Sequence, residues 1–494
     1  MDLSKLSVQH QPDAAKSDIP WSPMQLEIFD FGKNTDDNLS IEAVAGSGKT
    51  TTLLEFMEIC GTRNGLFLAF NKSIADELAR KVPETCKAST FHSLGFSVLR
   101  SNTSTRYNVD GRKVNSILRT QFSKPKFEDI GYTCEKIVSA LKNSLIHPQS
   151  ISPEVVSHII DNRQFDISME DMTLVTETIA DNYARCCDCS EGKIDFDDMV
   201  MQPLLQNMEF PKYDAIFVDE AQDLNYLQHQ TLERLTENGA RLIAVGDTYQ
   251  AIYGFRGAKH DSMEILRETF KTELLPLSVS YRCPEKVIEV ARGFVPHIRA
   301  RDGAPLGEVD HWEGIEELSS VSRGDMVICR NNFPLFQLAM RFLRERIPVR
   351  LRTNHGKDLI GFVKRFDADS CADLRVKLQA WYSKEHKEAS EKGKSGKLAF
   401  IEERKHIVLS FIDECTDVRD IINTLYKLLE SKTGPILSTI HKAKGLEADT
   451  VFLLRPDLLP SKFAETDEQL QQERNLEYVA ITRALSRLVY VHQE

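Results

Sequence analysis

The amino-acid sequence predicts an α/β protein built on two parallel sheets, with two mainly helical insertions. Three observations lead to this fold class. Short apolar runs typical of buried strands recur along the chain, helical patterns separate most of them, and a glycine-containing turn joins the first run to a helix. Strands that alternate with helices form parallel sheets with crossover helices, and the wide spacing of the runs indicates two such sheets.

The individual elements follow from local patterns. Residues 39–43 alternate between apolar and polar side chains, as a half-buried strand does, and the segment that begins at Lys49 has apolar residues at helical spacing. Two long stretches lack a strong strand signal and carry helix-like patterns, so we expect helical insertions at 101–190 and 356–434. Further buried strands are predicted at 66–70, 215–218, 242–245, 450–454 and 488–491.

Two segments of the chain are predicted to lack regular structure. The first twenty residues are polar and mixed in charge, and we interpret 1–20 as a flexible leader. The run at 383–397, inside the second insertion, is rich in Lys, Glu, Ser and Gly. We interpret that run as a solvated loop.

Composition excludes several classes of protein. The chain has 494 residues, of which 41% are hydrophobic and 28% charged, so collagen, low-complexity disorder and a disulfide-stapled miniprotein are excluded. Its 62 Lys and Arg against 74 Asp and Glu give a net charge of −12. This acidic balance argues against a protein that coats DNA by bulk charge, but it allows a narrow basic groove.

The sequence also predicts the compartment and the state of the thiols. No apolar stretch is long enough for a membrane helix or a signal-peptide core, so we expect a cytoplasmic protein, in a bacterial or phage-infected cytosol, with no membrane partner. Cys186, Cys187 and Cys189, with Cys134 upstream, lack the paired spacing of a zinc or iron–sulfur site. Buried thiols are therefore favoured, with a metal site as the alternative.

The turn AVAGSGKT lies between a predicted strand and a predicted helix. Successive backbone N–H groups in such a turn can cradle phosphate oxygens at the helix N-terminus, and Gly46 and Gly48 allow the close approach of the backbone. Lys49 would then reach the β- and γ-phosphates, and the Thr50 hydroxyl would bind Mg²⁺. Ala43 stands where the strict pattern has glycine, so the interpretation depends on the strand–turn–helix context.

Two adjacent carboxylates follow the predicted strand at 215–218. Asp219 would hold Mg²⁺, directly or through water, and Glu220 would polarise the attacking water as general base. A helix N-cap is the alternative role for Asp219. GTP is a less favoured nucleotide than ATP, because no Asn-Lys-x-Asp follows a strand.

A third predicted strand ends close to Gln250, which is a candidate sensor of the γ-phosphate or the attacking water. Tyr253, Phe255 and Arg256 follow it. Aromatic and arginine side chains in a loop at a strand end can stack on exposed bases. Packing in the core is the alternative for these aromatic residues.

Seven segments, in the right order, resemble the motifs of the UvrD/Rep/PcrA family of superfamily 1 helicases. The matches run from about residue 21 to 490, and the short second insertion is closer in style to the F-box DNA helicase. The seven segments are AVAGSGKT, TFHS, VDEAQD, GDTYQAIYGFRGA, YR at 281–282, STIHKAKGLE and YVAITRA.

This resemblance implies an α/β fold with two RecA-like motor domains of the P-loop NTPase class, which bind ATP between them. The first motor domain would comprise 21–100 and 191–275, the second 276–355 and 435–494. The first helical insertion would be 101–190 and the reduced second insertion 356–434.

The resemblance also assigns residues to the nucleotide and to DNA. Gln25 would read the adenine, Tyr281 would stack on it, and Glu447 would contact the ribose. Arg282 and Arg483 would be arginine fingers, with a surface salt bridge as the alternative for each. The residues that would line the phosphate cradle are Ala45, Gly46, Ser47, Gly48, Lys49, Thr50 and Thr51. Those that would contact single-stranded DNA are Asn71, Lys72, Thr90, His92, Tyr253, Phe255, Arg256, Thr439 and His441.

The function implied is an ATP-dependent DNA helicase that uses ATP and Mg²⁺ and moves 3′ to 5′ along single-stranded DNA. Its expected partners are single-stranded DNA and single/double-strand junctions, and we expect a monomer or a weak oligomer. Two alternatives stay open: a translocase that strips proteins with little unwinding, and a nucleotide-gated DNA-binding scaffold without turnover. RNA is an alternative track, because stacking and phosphate contacts tolerate either sugar.

Overall fold

The computed structural model describes residues 21–163, 165, 167, 169–252, 261–353, 356–391 and 395–492, so the predicted leader lies outside the described residues. The strands are β1 (Leu39–Ala43), β2 (Gly65–Ala69), β3 (Cys86–Thr90), β4 (Asn108–Val109), β5 (Lys193–Ile194), β6 (Ala215–Val218), β7 (Arg241–Gly246), β8 (Glu273–Leu277), β9 (Val279–Ser280), β10 (Arg299–Ala300), β11 (Glu308–Glu313), β12 (Met326–Cys329), β13 (Arg350–Arg352), β14 (Ile436–Thr439), β15 (Ala448–Leu454) and β16 (Ala484–His492). The helices are α1 (Pro23–Asn34), α2 (Lys49–Ile59), α3 (Lys72–Leu78), α4 (Phe91–Asn102), α5 (Lys113–Leu118), α6 (Lys124–Asn143), α7 (Pro153–Asn162), α8 (Met169–Cys187), α9 (Phe196–Leu205), α10 (Tyr226–Thr236), α11 (Ser262–Phe270), α12 (Glu285–Ala291), α13 (Phe333–Arg344), α14 (Gly356–Arg365), α15 (Cys371–Glu391), α16 (Ser395–Glu414), α17 (Val418–Glu430), α18 (Ile440–Ala443) and α19 (Asp467–Ile481). In this part of the chain no helix combines the length and the apolarity that crossing a membrane requires.

The first sheet has six strands in the order β3-β2-β6-β7-β1-β8. All its neighbouring strands are parallel, and β1 lies between β7 and β8, with Leu39 opposite both Ile243 and Glu273. The carboxyl ends of the strands therefore meet at one edge, which is where ligands bind in open α/β sheets. The glycine turn leaves β1 at that edge and leads into α2.

The second sheet also has six parallel strands, in the order β11-β16-β15-β12-β14-β13. The predicted α/β class with two parallel sheets is thus confirmed. Every apolar run that was predicted as a buried strand overlaps one of these strands. We refer to each sheet with the helices on its faces as the first and the second α/β unit.

The helical insertions extend the helix layers of the two units. Leu66 of β2 shares an apolar core with Ile137 of α6, in the first insertion. Leu437 of β14 shares another with Phe362 and Phe411, in the second insertion. Each insertion therefore shares an apolar core with its own sheet, and the first insertion reaches that core through contacts of α6 with α9 and α10.

The interpretation of 383–397 as a solvated loop is wrong for its described residues. They belong to α15, which ends at Glu391, and to α16, which begins at Ser395. Lys and Glu are strong helix formers, so a run rich in them can be helical. The Lys397 ammonium lies 3.1 Å from the Glu385 carboxylate and joins the two helices.

A buried ionic cluster attaches the first insertion to α9. The Lys142 ammonium lies 2.6 Å from the Asp195 carboxylate and 2.7 Å from that of Asp198, and the Lys113 ammonium lies 2.7 Å from the other oxygen of Asp198. Three cysteines of the same region, at 186, 187 and 189, are buried as free thiols. Burial raises the pKa of the Cys189 thiol to about 12, so it stays protonated.

Candidate nucleotide and DNA sites

The phosphate loop has a backbone that only glycine adopts easily. Gly46 has φ 72° and Gly48 has φ 79°. A Cβ at Gly46 would collide with Cβ of Arg282 and lie 2.8 Å from Oγ of Ser280, whereas the space beside Gly48 is open apart from Gln25 at 3.7 Å. The loop is therefore pressed against the second α/β unit at Gly46.

Three polar atoms at the same place are buried with no hydrogen-bond partner among the described residues: Oγ of Ser47, Oγ of Ser280 and Nε of Arg282. Such atoms are rare in folded proteins, and a cluster of them indicates a place for a ligand. Two hydroxyls, a guanidinium and the N–H groups of a helix N-terminus suit phosphate oxygens. The residues present thus fit a nucleotide.

The predicted metal ligands are in contact with each other. The Thr50 hydroxyl donates to Oδ2 of Asp219 at 2.5 Å, and Asp219 follows β6 directly. Oδ1 of Asp219 accepts from the adjacent Glu220 N–H at 2.9 Å, which differs from a helix N-cap bond. A hydroxyl and a carboxylate are ligands that Mg²⁺ prefers, so this pair fits the ion.

Asp219 and Glu220 differ in their electrostatic surroundings. Burial and the neighbouring charge of Glu220 raise the pKa of Asp219. Burial acts in the same direction on Glu220, but the cations Lys49 and Lys444 and a hydrogen bond from Gln222 outweigh it and lower its pKa. Glu220 also has a left-handed backbone, φ 54°, a strained conformation that is often found at active sites. It is therefore an ionised carboxylate held in a fixed place.

A chain of hydrogen bonds runs from Glu220 to the second α/β unit. The Gln222 amide donates to Glu220 at 2.5 Å and accepts from the Asp247 N–H at 2.9 Å. The Gln250 amide donates to the Asp247 carboxylate at 2.6 Å. Arg483 then donates to Oε1 of Gln250 at 3.1 Å. The candidate general base, sensor and arginine finger are thus joined through two further residues, Gln222 and Asp247, the second of which uses both its backbone N–H and its carboxylate.

The two candidate arginine fingers have different environments. Arg282 forms an ion pair with Glu447 and donates to the Thr482 carbonyl at 3.3 Å. Arg483 is fully buried, and burial together with the charge of Arg282 lowers its pKa to about 10. A surface salt bridge does not describe Arg483. Close to Arg483, the Lys444 ammonium lies 2.6 Å from the Asp223 carboxylate and donates to the carbonyl of Gln250.

The residues predicted to hold the adenine lie together. The Gln25 side chain caps α1 with Ser22 and donates to the Thr52 hydroxyl at 3.0 Å. The Tyr281 hydroxyl donates to Oε1 of Gln25 at 3.3 Å, and its ring remains 39% exposed, which leaves a face for stacking. Ala45 and Ser47 are buried within the loop, whereas Thr51 is exposed on α2.

The predicted DNA contacts that the structure describes follow the carboxyl ends of β2, β3 and β14. Asn71 caps α3, and its neighbour Lys72 is exposed. Thr90 caps α4 and is largely buried, whereas His92 on α4 is exposed. Tyr253, Phe255 and Arg256 lie outside the described residues.

In the second unit, Thr439 is largely buried and His441 is half-buried on α18.

Sequence reasoning missed an exposed aromatic residue beside His92. The Phe196 ring is 59% exposed, and its centroid lies 6.5 Å from that of His92. Its neighbours at 195 and 198 belong to the ionic cluster, so the anchoring of α9 also fixes the position of Phe196.

Several side chains at the nucleotide site had no role in the sequence prediction. The Ala45 N–H donates to the Tyr478 hydroxyl at 2.9 Å. The Asn475 amide donates to the Ala251 carbonyl at 3.0 Å, and Gln222 and Asp247 link Glu220 to Gln250. All these residues except Asn475 lie inside the seven segments, which was the available signal.

Comparison with known proteins identifies the family. Residues 24–271 match the UvrD/REP helicase N-terminal domain, and residues 363–494 match the UvrD-like helicase C-terminal domain. F-box DNA helicase protein 1 of Schizosaccharomyces pombe is 26% identical over 94% of this chain and 56% of its own length, and F-box DNA helicase 1 of Gallus gallus is 26% identical over 95% and 48%. The probable DNA helicase II homolog of Rickettsia conorii is 23% identical over 93% and 91%. The chain spans about half the length of the F-box relatives. It belongs to the UvrD/REP helicase family.

Proposed function

We propose that this protein is an ATP-driven DNA helicase that moves 3′ to 5′ along single-stranded DNA and couples hydrolysis to duplex unwinding. The observation that carries the proposal is the hydrogen-bonded chain from Glu220 to Arg483, which joins the two α/β units across one cleft. The relatives named as DNA helicases support the same activity. The motor domains we propose are 21–100 with 191–275, and 276–355 with 435–494.

ATP would bind between the units, with its adenine at Gln25 and Tyr281 and its ribose at Glu447. The loop N–H groups and Lys49 would hold the phosphates. Thr50 and Asp219 would hold Mg²⁺, which neutralises phosphate charge when bound.

Glu220 would accept a proton from the attacking water, because its carboxylate stays ionised. Arg282 and Arg483 would stabilise the charge that develops on the γ-phosphoryl oxygens. Because these groups come from both units, hydrolysis would change the fit between the units and open or close the cleft.

DNA would lie across both units. Asn71, Lys72 and His92 of the first unit and His441 of the second would contact the backbone, and the exposed Phe196 side chain would offer a stacking surface for a base. A strand held by both units is gripped alternately as the cleft opens and closes, which moves the protein along it.

The test is ATP hydrolysis with and without single-stranded DNA, with Lys49→Ala as the control. We expect strong stimulation by DNA that the variant loses. Single-stranded RNA of the same sequence tests the track, and duplexes with a 3′ or a 5′ tail test the direction of unwinding. Hydrolysis that DNA leaves unchanged would contradict the proposed track, and unwinding of 5′-tailed duplexes alone would contradict the direction.

A further inference from the structure

Helix α19 of the second unit reaches across the cleft to the first. Asn475 donates to the Ala251 carbonyl, Tyr478 accepts from the Ala45 N–H, and Arg483, directly after the helix, donates to Gln250. The contact between Tyr478 and Ala45 differs from the other two, because Ala45 belongs to the phosphate loop itself. Helix α19 thus bears a side chain that binds the loop, and the candidate arginine finger follows its C-terminal end.

The contact between Tyr478 and Ala45 is fully removed from water. Both residues are 0% exposed, and the hydroxyl oxygen lies 2.9 Å from the Ala45 nitrogen. Burial and the charge of Asp247 raise the pKa of Tyr478 well above its ordinary value, so the phenol stays neutral. A buried N–H that lost this acceptor would keep the full cost of its desolvation.

The phosphate loop also packs into the apolar core of the second unit. Val44 and Ala45 are buried in the same core as Val479 and Ile481 of α19. The Gly46 carbonyl accepts from the Tyr281 N–H at 2.8 Å. On this side, the position of the loop is therefore set by the second unit as well as by β1 and α2.

We propose that Tyr478 is a positioning residue of the ATP site, whose hydroxyl fixes the spacing between the phosphate loop and the helix that bears Arg483. The inference rests on the proposed ATPase function and deepens it. Arg483 can stabilise the γ-phosphoryl group only at one distance from the loop that holds the other phosphates. The hydroxyl of Tyr478 joins α19 to the loop directly, through one hydrogen bond from the Ala45 N–H.

Other contacts keep α19 in place when the hydroxyl is removed. Arg330 forms a bidentate ion pair with Glu473 of α19, with N–O distances of 2.7 and 2.9 Å, and Asn475 keeps its carbonyl partners. Tyr478→Phe retains the buried ring and deletes one oxygen. We therefore expect the variant to fold and to lose the fixed position of the loop.

The experiment compares Tyr478→Phe with Tyr183→Phe and wild type. Tyr183 is a matched control in the first insertion, because it is also fully buried and its hydroxyl donates to a backbone carbonyl, that of Ile146, at 3.0 Å. Three measurements are made: steady-state hydrolysis with DNA present, which gives kcat and KM for ATP; the affinity for ADP; and hydrogen exchange of the phosphate-loop amides without nucleotide. The last does not depend on activity.

For Tyr478→Phe we expect kcat to fall about tenfold, the ratio that one buried hydrogen bond supports, with ADP affinity changed less than about threefold. Exchange at the Ala45 amide should become faster, and Tyr183→Phe should match wild type in all three measurements.

Unchanged kcat and exchange in Tyr478→Phe would overturn the inference, as would equal losses in the control. An equal loss of affinity for ATP and ADP with an unchanged kcat would also overturn it. Tyr478 would then position the loop for nucleotide binding without positioning it relative to Arg483. If wild type and Lys49→Ala both failed to hydrolyse ATP, the proposed function would fail instead. Exchange at Ala45 would still decide whether the hydroxyl holds the loop.

Discussion

A comparison of two glycines distinguishes the cost of backbone strain from that of a steric clash. Both glycines have a positive φ, but their surroundings differ. Gly46 and Gly61 both have positive φ, 72° and 59°, so alanine costs about 1 to 2 kcal/mol of backbone energy at either place. Only at Gly46 would the new Cβ collide with Arg282, since nothing lies within 4 Å of a Cβ at Gly61. We predict that Gly46→Ala abolishes nucleotide binding, measured by titration with a fluorescent ATP analogue, and that Gly61→Ala retains it. Equal binding by the two variants would show that the loop is not pressed against the second unit.

Glu220→Gln separates binding from chemistry. The amide oxygen can still accept from Gln222, so the hydrogen-bonded chain to the second unit is kept, but the amide cannot take a proton from water. We expect ATP affinity to stay near that of wild type and turnover to fall by a factor of about 10² to 10⁴. Binding titration and single-turnover hydrolysis measure the two quantities. Turnover at the wild-type rate would remove Glu220 as the base.

Asp247 should make the stability of the nucleotide-free protein depend on pH. Burial raises its pKa from 3.8 to about 6, so the folded chain binds this proton more tightly than the unfolded chain between these values. The free energy of unfolding therefore falls as the pH rises through that interval, and the cost persists above it. We predict that Asp247→Asn raises the free energy of unfolding by about 1 to 3 kcal/mol near pH 8 and changes it little near pH 4. Urea unfolding in EDTA measures both values, and a variant that is less stable at both would show that the bond from Gln250 outweighs burial.

The residues that we propose to touch the nucleotide were easier to predict from the sequence than the residues that hold them in place. Lys49 and Glu220 can be recognised in the sequence, because each belongs to a short motif whose residue types and spacing indicate their chemistry. Tyr478 and Gln222 act through partners that the chain brings together only on folding; Tyr478 meets a residue 433 positions away. No local pattern distinguishes a tyrosine with such a contact from one that merely packs in a core.

At the scale of elements, the ionic cluster decides how firmly the first insertion is attached. Lys142 is fully buried between the carboxylates of Asp195 and Asp198. Removing one partner of such a set leaves uncompensated buried charge, so Lys142→Met should lower the free energy of unfolding by about 3 to 5 kcal/mol. Lys193→Met is the control, because Lys193 pairs with Asp110 at the surface, where ion pairs contribute little. Urea denaturation checks both variants, and equal losses would contradict the role of burial.

Elements that depend on local pattern were predictable, and those that depend on charge context were less so. Four consecutive apolar residues predict the strand at 215–218, and the structure has β6 at these residues. The run at 383–397 looks like a loop because Ser and Gly interrupt it. Its described charged residues nevertheless lie at the ends of two helices that pair with each other, and Lys397 pairs with Glu385.

At the scale of the whole molecule, the net charge of −12 repels DNA at long range. The affinity for DNA must therefore come from a few local cations. Each contact with a phosphate should then contribute measurably to the salt dependence of DNA binding. We predict that Lys72→Ala weakens binding of single-stranded DNA and reduces the slope of log affinity against log salt by about 0.7. Lys33→Ala is the control, since this exposed lysine lies in the last turn of α1, before β1 begins. Fluorescence anisotropy over a range of salt concentrations measures the slopes, and an equal change in both variants would place the DNA elsewhere.

The position of β1 in the first sheet has a consequence for biosynthesis. β1 is made early, but both its neighbours are made late, since Leu39 pairs with Ile243 and Glu273. While the ribosome translates the first insertion, this strand and the phosphate loop after it have no partner, whereas the insertion helices can form from local contacts. ATP cannot stabilise the nascent chain until β8 has emerged from the ribosome. Incomplete chains that stop before that point are therefore expected to expose an apolar strand to chaperones and proteases.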